Sequence, residues 1–115
     1  MCEKNDRFTV NDIQLGNGNL TYSVGLPTDD ETILAGGAYT NNYTFYLYTG
    51  NYYWTMSPKN FDGSDANVRS VPSYGNLYYS SKVNVSLRGV RPVINLKPNS
   101  LKQGDGTSLN PYRIA

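Results

Sequence analysis

The last third of the chain, from Gly89 to Ile114, constrains the fold most. It runs GVRPVINL, then a polar passage, then GDGTSLNPYRI. Val90, Ile94 and Leu96 fall on one face at the two-residue period of a strand, which predicts a buried strand over Val90 to Leu96. Pro92 lacks a ladder donor, so that strand is expected to start at a sheet edge or a bulge. Lys97 to Leu109 reads as loop, and Tyr112, Arg113 and Ile114 as a short closing strand. Arg91 stands between Val90 and Pro92, and an arginine in apolar surroundings must snorkel or be paired. A structural pairing with a carboxylate (Asp62, Asp65 or Asp105) or with backbone carbonyls is expected ahead of ligand contact.

Upstream, the clearest local signal is a helix start. Thr28 is a candidate N-cap, and Glu31 stands at the capping-box position three residues on. Asp29 and Asp30 sit where the helix dipole favours negative charge. Ile33 and Leu34 are expected to be buried, and Gly36-Gly37 to stop the helix after ~2 turns. Short strands are predicted at Phe8 to Val10 and Leu20 to Val24, with a turn over Asn11 to Asn19. Phe45 to Tyr48 and Tyr52 to Met56 read as aromatic strands, the second ended by Pro58. Lys59 to Asn67 reads as polar loop, Val68 to Val71 as a half-buried strand, Pro72 to Gly75 as a turn and Leu77 to Tyr79 as extended chain. Ser80 to Arg88 reads as a polar link with Val83, Val85 and Leu87 alternating. One helix and many short strands give an α+β class in a single domain spanning residues 1–115.

Composition removes several function classes. Ten basic and nine acidic residues give a net charge of +1 with no long run of either sign. That argues against a nucleic-acid module built on phosphate neutralisation and against a polybasic membrane anchor. No apolar stretch of spanning length is present, so direct membrane insertion of this segment is not expected. No signal peptide is visible. The chain has no histidine, which removes Ser-His-Asp, Cys-His and histidine-metal chemistry. Cys2 is the single cysteine, so no intrachain disulfide can form. It is either a neutral remnant or half of a bridge to sequence upstream.

The remaining polar clusters have plain structural readings. Asp29, Asp30 and Glu31 diverge around a first helical turn and read as capping, not as a metal site. Asp62, Ser64, Asp65 and Asn67 in FDGSDAN have oxygens at spacings that calcium could use, but the glutamate of an EF-hand loop is missing. Solvated loop acids or Asx turns are the expectation there. Gly104-Asp105-Gly106-Thr107 lacks the lysine of a phosphate loop and reads as a turn. No metal and no cofactor is implied. Eleven tyrosines exceed what a domain this size can bury. Trp54 is expected in the core with Tyr52 on its side of the strand and Tyr53 on the other. Exposed tyrosines beside asparagines suit stacking on sugar rings or gripping a protein.

In order along the chain stand NDRFTV, a helix with ILAGG, YLYTGNYYWTMSP, NVRSV, GNL, GVRPVINL and GDGTSLNPYRI. This series, from Phe8 to Ile114, resembles the C-terminal module of surface or secreted proteins of Gram-positive gut bacteria. Trp54, Ser57 and Pro58, followed by Gly89, Val90, Arg91 and Pro92, also resemble the C-type-lectin-like core of formylglycine-generating enzymes and their noncatalytic relatives. In that likeness Trp54, Pro58, Arg91 and Pro92 are scaffold. The catalytic cysteines of those enzymes have no counterpart, so enzyme activity is not implied. The Tyr, Asn, Ser and Asp content is also similar to that of the variable binding proteins of diversity-generating retroelements.

The resemblance implies a compact C-type-lectin-like domain with short antiparallel strands, one short helix and long ordered loops. It implies a cell-surface or secreted location, the domain being the C-terminal part of a longer protein. The expected function is noncatalytic recognition or display of a host or bacterial surface protein or glycan. The alternatives are a structural or assembly module of a pilus or cell-wall protein, and a retroelement-diversified binder. Contacts are expected from three loops: Tyr39, Asn42 and Tyr43; Asn60, Asp62 and Asp65; and Tyr74, Tyr78 and Tyr79.

Overall fold

The computed structural model describes residues 8–9, 18–96, 100–107 and 109–114. Cys2, Val10 and the greater part of the Asn11 to Asn19 turn lie outside these residues. In chain order the elements are β1 (Phe8–Thr9), β2 (Gly18–Asn19), β3 (Val24–Gly25), α1 (Asp29–Leu34), β4 (Tyr53–Phe61), β5 (Ala66–Val71), β6 (Ser80–Lys82), β7 (Val93–Ile94), β8 (Leu101–Gln103) and β9 (Arg113–Ile114). The main sheet is antiparallel in the order β4-β5-β6, and three two-stranded ladders, β1-β2, β3-β7 and β8-β9, accompany it. The result is a small mixed α+β domain of short, mostly antiparallel strands and one short helix.

Helix α1 starts where the sequence places it. The Thr28 hydroxyl accepts from the Glu31 amide at 3.1 Å, and the Glu31 carboxylate accepts from the Thr28 amide at 2.8 Å. This reciprocal pair satisfies donors that a helix start leaves open. The buried face, however, carries Asp29 and Thr32, while Ile33 and Leu34 are exposed. The reason is polar docking. The Asp29 amide donates to the Ser57 hydroxyl of β4 at 2.7 Å, while the buried Thr32 hydroxyl is satisfied within the helix by the Asp29 carbonyl at 2.7 Å. That turns the Asp29/Thr32 side of the helix toward β4.

Strand β4 reverses a second expectation. Tyr53, Thr55 and Ser57 alternate inward, and Tyr53 is only 3% exposed. Trp54 is half-buried on the other face, beside Leu26, Val68 and Val83. The two residues do alternate between faces, but α1 and its flanking loops cover the Tyr53 side. Nor does Pro58 end the strand. It lies between two register shifts on the outer strand of the sheet, where a missing ladder donor is tolerated. The chain continues to Phe61 and returns through a tight hairpin, so Lys59 to Phe61 are strand residues, not loop.

The core is Phe45, Tyr53, Val71 and Leu77, with Ala35, Leu47 and Tyr48 packed against it. Two of its members come from segments expected to be extended. Phe45 to Tyr48 is a turn, closed by the Tyr48 amide on the Phe45 carbonyl at 2.9 Å. Leu77 enters the core from another turn, in which the Tyr79 amide reaches the Asn76 carbonyl at 3.3 Å. Turning the chain lets single large side chains drop into the core without a full strand behind them.

The C-terminal third also departs from expectation. Only Val93–Ile94 forms a strand, antiparallel to β3, and Val90, Ile94 and Leu96 are exposed, Val90 at 70%. Among the described residues the β3-β7 ladder has no second layer over that face. The β8-β9 hairpin places a strand inside the segment read as loop. Its turn is closed by the Asp105 and Gly106 amides on the Asn110 carbonyl at 3.1 and 3.2 Å. Gly104 (φ 92°) is required there, because a Cβ would overlap the Pro111 carbonyl.

Candidate functional site

The hollow that could receive a ligand is built on the turn from Pro72 to Ser80. Leu77, 1% exposed, anchors this turn from below, and its amide donates to the Ala38 carbonyl at 3.0 Å. The Asn76 side-chain oxygen accepts from the Tyr78 amide at 2.9 Å, an Asx turn that fixes the next residues. Because Leu77 points in, Tyr78 points out and is 70% exposed. Gly75 has φ 70°, and a Cβ there would overlap the Asn42 carbonyl. The backbones of the 39–43 and 74–79 loops are therefore in direct contact.

Three tyrosines meet edge to face at one side of the turn. Ring centroids are 6.2 Å apart for Tyr52–Tyr74, 5.7 Å for Tyr52–Tyr79 and 6.1 Å for Tyr74–Tyr79. Such pairs add rigidity beyond the area that they bury. The Arg88 guanidinium lies 4.2 Å from the Tyr52 centroid, a cation–π contact that adds to the trio. Burial, then the hydrogen bond with Tyr52, pushes the Tyr74 hydroxyl above its ordinary value. It is thus a neutral hydroxyl at physiological pH.

In front of the trio is a hollow of about 310 Å³ lined by Lys59, Tyr74, Asn76, Tyr78, Tyr79 and Ser80. The Lys59 ammonium donates to the Ser80 hydroxyl at 3.0 Å and stands 5.6 Å from the Tyr78 centroid. Arg69 braces the rim, donating to the Tyr78 carbonyl at 3.4 Å. The Arg69 guanidinium is 6.0 Å from the Tyr39 centroid, its Nε is 3.8 Å from an Asp29 carboxylate oxygen, and Tyr39 donates to that oxygen at 3.4 Å. The lining offers aromatic surface, an ammonium, an amide and hydroxyls. It has no carboxylate, imidazole or thiol to act as base or nucleophile.

The sequence-predicted contacts divide into three groups. Tyr74, Tyr78 and Tyr79 line the hollow, and Tyr39 reaches its rim through Arg69. Asn42 and Tyr43 shape the neighbouring loop. Asn42 donates to the Gly36 carbonyl at 2.9 Å and accepts from the Thr44 amide and hydroxyl at 3.0 Å each. Tyr43 sets its edge against Tyr48 at 5.8 Å.

Asn60, Asp62 and Asp65 belong to the β4-β5 hairpin and do not line the hollow. Asp62 accepts from the amides of Asp65 at 2.9 Å and Ser64 at 3.1 Å. These bonds hold its carboxyl down at about 2. Asp65 takes the Lys82 ammonium at 2.7 Å, and this bond lowers its carboxyl as well. Their oxygens thus serve the hairpin and its link to β6. Among the described residues no three His, Cys, Asp or Glu side chains group as a metal cage.

Lys59, Ser80, Tyr52 and Arg88 stand outside the three expected contact loops, and Asn76 lies within the third without being singled out. Reading Pro58 as a strand end concealed Lys59. Asn76 carries a usable signal, since Gly-Asn marks a turn, and Leu77 and two tyrosines follow it. Of the scaffold residues, Arg91 donates to the Leu47 carbonyl at 2.9 Å, with its guanidinium 5.7 Å from the Tyr53 centroid. Tyr53 donates to the same carbonyl at 3.0 Å. Burial raises the Tyr53 hydroxyl above its usual value, and Arg91 opposes that shift. Pro92 joins Leu20, Val24, Leu26, Met56 and Val90 along a second, apolar groove of about 380 Å³.

Among the described residues no helix is long and apolar enough to cross a membrane. Comparison with protein-family models, with characterised proteins and with solved structures finds no match for the chain.

Proposed function

We propose that this chain is a noncatalytic recognition domain of a surface or secreted protein, on a C-type-lectin-like scaffold, which binds a glycan or protein at the Tyr74–Tyr79 turn. The carrying observation is the hollow itself. Aromatic faces, an ammonium and an amide converge on a volume at the small end of the range for ligand sites. They stand on a turn pinned from below by a buried leucine, so little ordering is left to be done on binding. The motif series from Phe8 to Ile114 supports the scaffold and the location.

The test is a mixed array of host glycans, bacterial wall polysaccharides and surface proteins. Saturable binding is expected, abolished by Tyr78→Ala without change in melting temperature. Binding that survives Tyr78→Ala, or none at all by the folded domain, overturns the reading.

The apolar groove beside Val90 favours the second reading, an assembly module of a pilus or cell-wall protein, because exposed apolar patches mark contact surfaces. Concentration-dependent oligomerisation in a domain that binds no ligand is its signature.

A further inference from the structure

The hollow in front of the tyrosine trio has a charge character as well as a shape. Lys59 is in its lining, Arg88 lies on Tyr52 outside the lining, and Arg69 donates to the carbonyl of the lining residue Tyr78. Asp29 is set against Arg69. Neither Lys59 nor Arg88 has a carboxylate within ion-pair distance among the described residues. The hairpin acids do not compensate, since Asp65 is engaged by Lys82 and neither Asp62 nor Asp65 reaches the lining. The lining therefore carries one cation, Lys59, and no carboxylate, although the whole chain is nearly neutral at +1.

Lys59 is also held in place. Its bond to the Ser80 hydroxyl uses one of three ammonium donors, and the Tyr78 ring restrains it from below. Two donors remain for a ligand. An anion there would exchange water for a charge-assisted bond beside aromatic walls, where such a bond is stronger than in bulk solvent. The apolar face of a sugar ring can stack beside it, since Tyr78 is 70% exposed and Tyr79 lines the same hollow. Tyr74 and Asn76 add hydroxyl and amide groups that suit ring hydroxyls.

We infer that the ligand of this hollow is an acidic saccharide, a pyranose bearing a carboxylate, with its ring against Tyr78 and Tyr79 and its carboxylate on Lys59. The inference rests on the recognition reading above and narrows it to one chemical class. Uronic acids of wall polysaccharides and sialic acids of host glycans share that chemistry.

The experiment titrates the domain with two matched pairs: oligogalacturonate against its neutral oligogalactose counterpart, and sialyllactose against lactose. At least one acidic member is expected to bind tenfold or more tightly than its neutral partner, with an advantage that shrinks as salt is raised. The preferred pair identifies the source. Lys59→Gln is expected to bring acidic binding down to the level of the neutral partner. Tyr78→Ala is expected to lose both. Equal binding of acidic and neutral partners, unchanged by Lys59→Gln, overturns the acidic preference and leaves the recognition reading standing. Absence of binding to all four, by a domain that melts cooperatively, overturns the acidic-saccharide inference, while the recognition reading stands or falls by the mixed array.

Discussion

The β4-β5-β6 half and the C-terminal third are written in the same alphabet, yet only one of them is packed. Val71 on β5 is fully buried, whereas Val90 is 70% exposed. Both are β-branched residues in stretches that read as strand. Val71 is packed in one cluster with Phe45, Tyr53 and Leu77, flanked by Ala35, Leu47 and Tyr48, while the β3-β7 ladder has no covering layer among the described residues. Alternation tells which side chains share a face. Burial needs a partner for that face, and sequence period carries no information about the partner.

The largest expected effect tests this contrast directly. Leu77→Ala is expected to destabilise the domain by ~2–5 kcal/mol, since a buried leucine leaves both transfer energy and a cavity. Val90→Ala is expected to stay within about 0.5 kcal/mol, as surface substitutions do. Urea denaturation of both variants is the measurement. A Val90→Ala cost comparable to that of Leu77→Ala would mean that the C-terminal face is covered in solution, and the contrast between the two regions would be lost.

Next in size is Gly75→Ala, expected to cost ~1–3 kcal/mol because the added Cβ meets the Asn42 carbonyl at a positive φ. The same strain should part the 39–43 and 74–79 loops and weaken ligand capture at the hollow. Near-wild-type stability together with unchanged binding would show that the two loops are not clasped.

Thr28→Ala is expected to cost about 1 kcal/mol through loss of the cap. Its interest is that this part of the fold was the most legible. Thr28, Glu31 and the Gly36-Gly37 stop interact within a few residues of one another, so sequence spacing carries the whole signal. Non-local features were not legible. Arg91 finds a carbonyl 44 residues away. Trp54 and Tyr53 were correctly assigned to opposite faces, but the choice of inner face was made by α1, which docks through Asp29 and Ser57. In the hollow, three tyrosines could be named because their own turn displays them. Lys59 could not, because it comes from β4, beyond a proline that reads as a strand end. A Thr28→Ala protein as stable as wild type would show that packing of α1 against β4, not its cap, holds the helix.

The smallest expected effect compares two Asx-type turns, Asp62 in the packed half and Asp105 in the C-terminal third. Asp62 accepts two backbone amides and is held at about 2, against an ordinary 3.8. The Thr107 amide, donating at 3.0 Å, likewise lowers the Asp105 carboxyl. A carboxyl depressed in the folded state contributes stability that is complete above its unfolded pKa and is lost as pH falls through its folded value. For Asp62 the loss therefore begins near ~pH 4 and is complete below about 2. Asp62→Asn keeps an oxygen acceptor for the turn but cannot titrate, so its melting temperature should fall less steeply than that of wild type across this window. Asp105→Asn should leave the global slope nearly unchanged, because the β8-β9 ladder is exposed and can open without unfolding the core. Melting curves from pH 5 to pH 2 separate the two variants. If Asp105→Asn flattens the slope as much as Asp62→Asn does, the C-terminal hairpin unfolds together with the sheet. The difference between the regions would then lie in exposure alone and not in cooperativity.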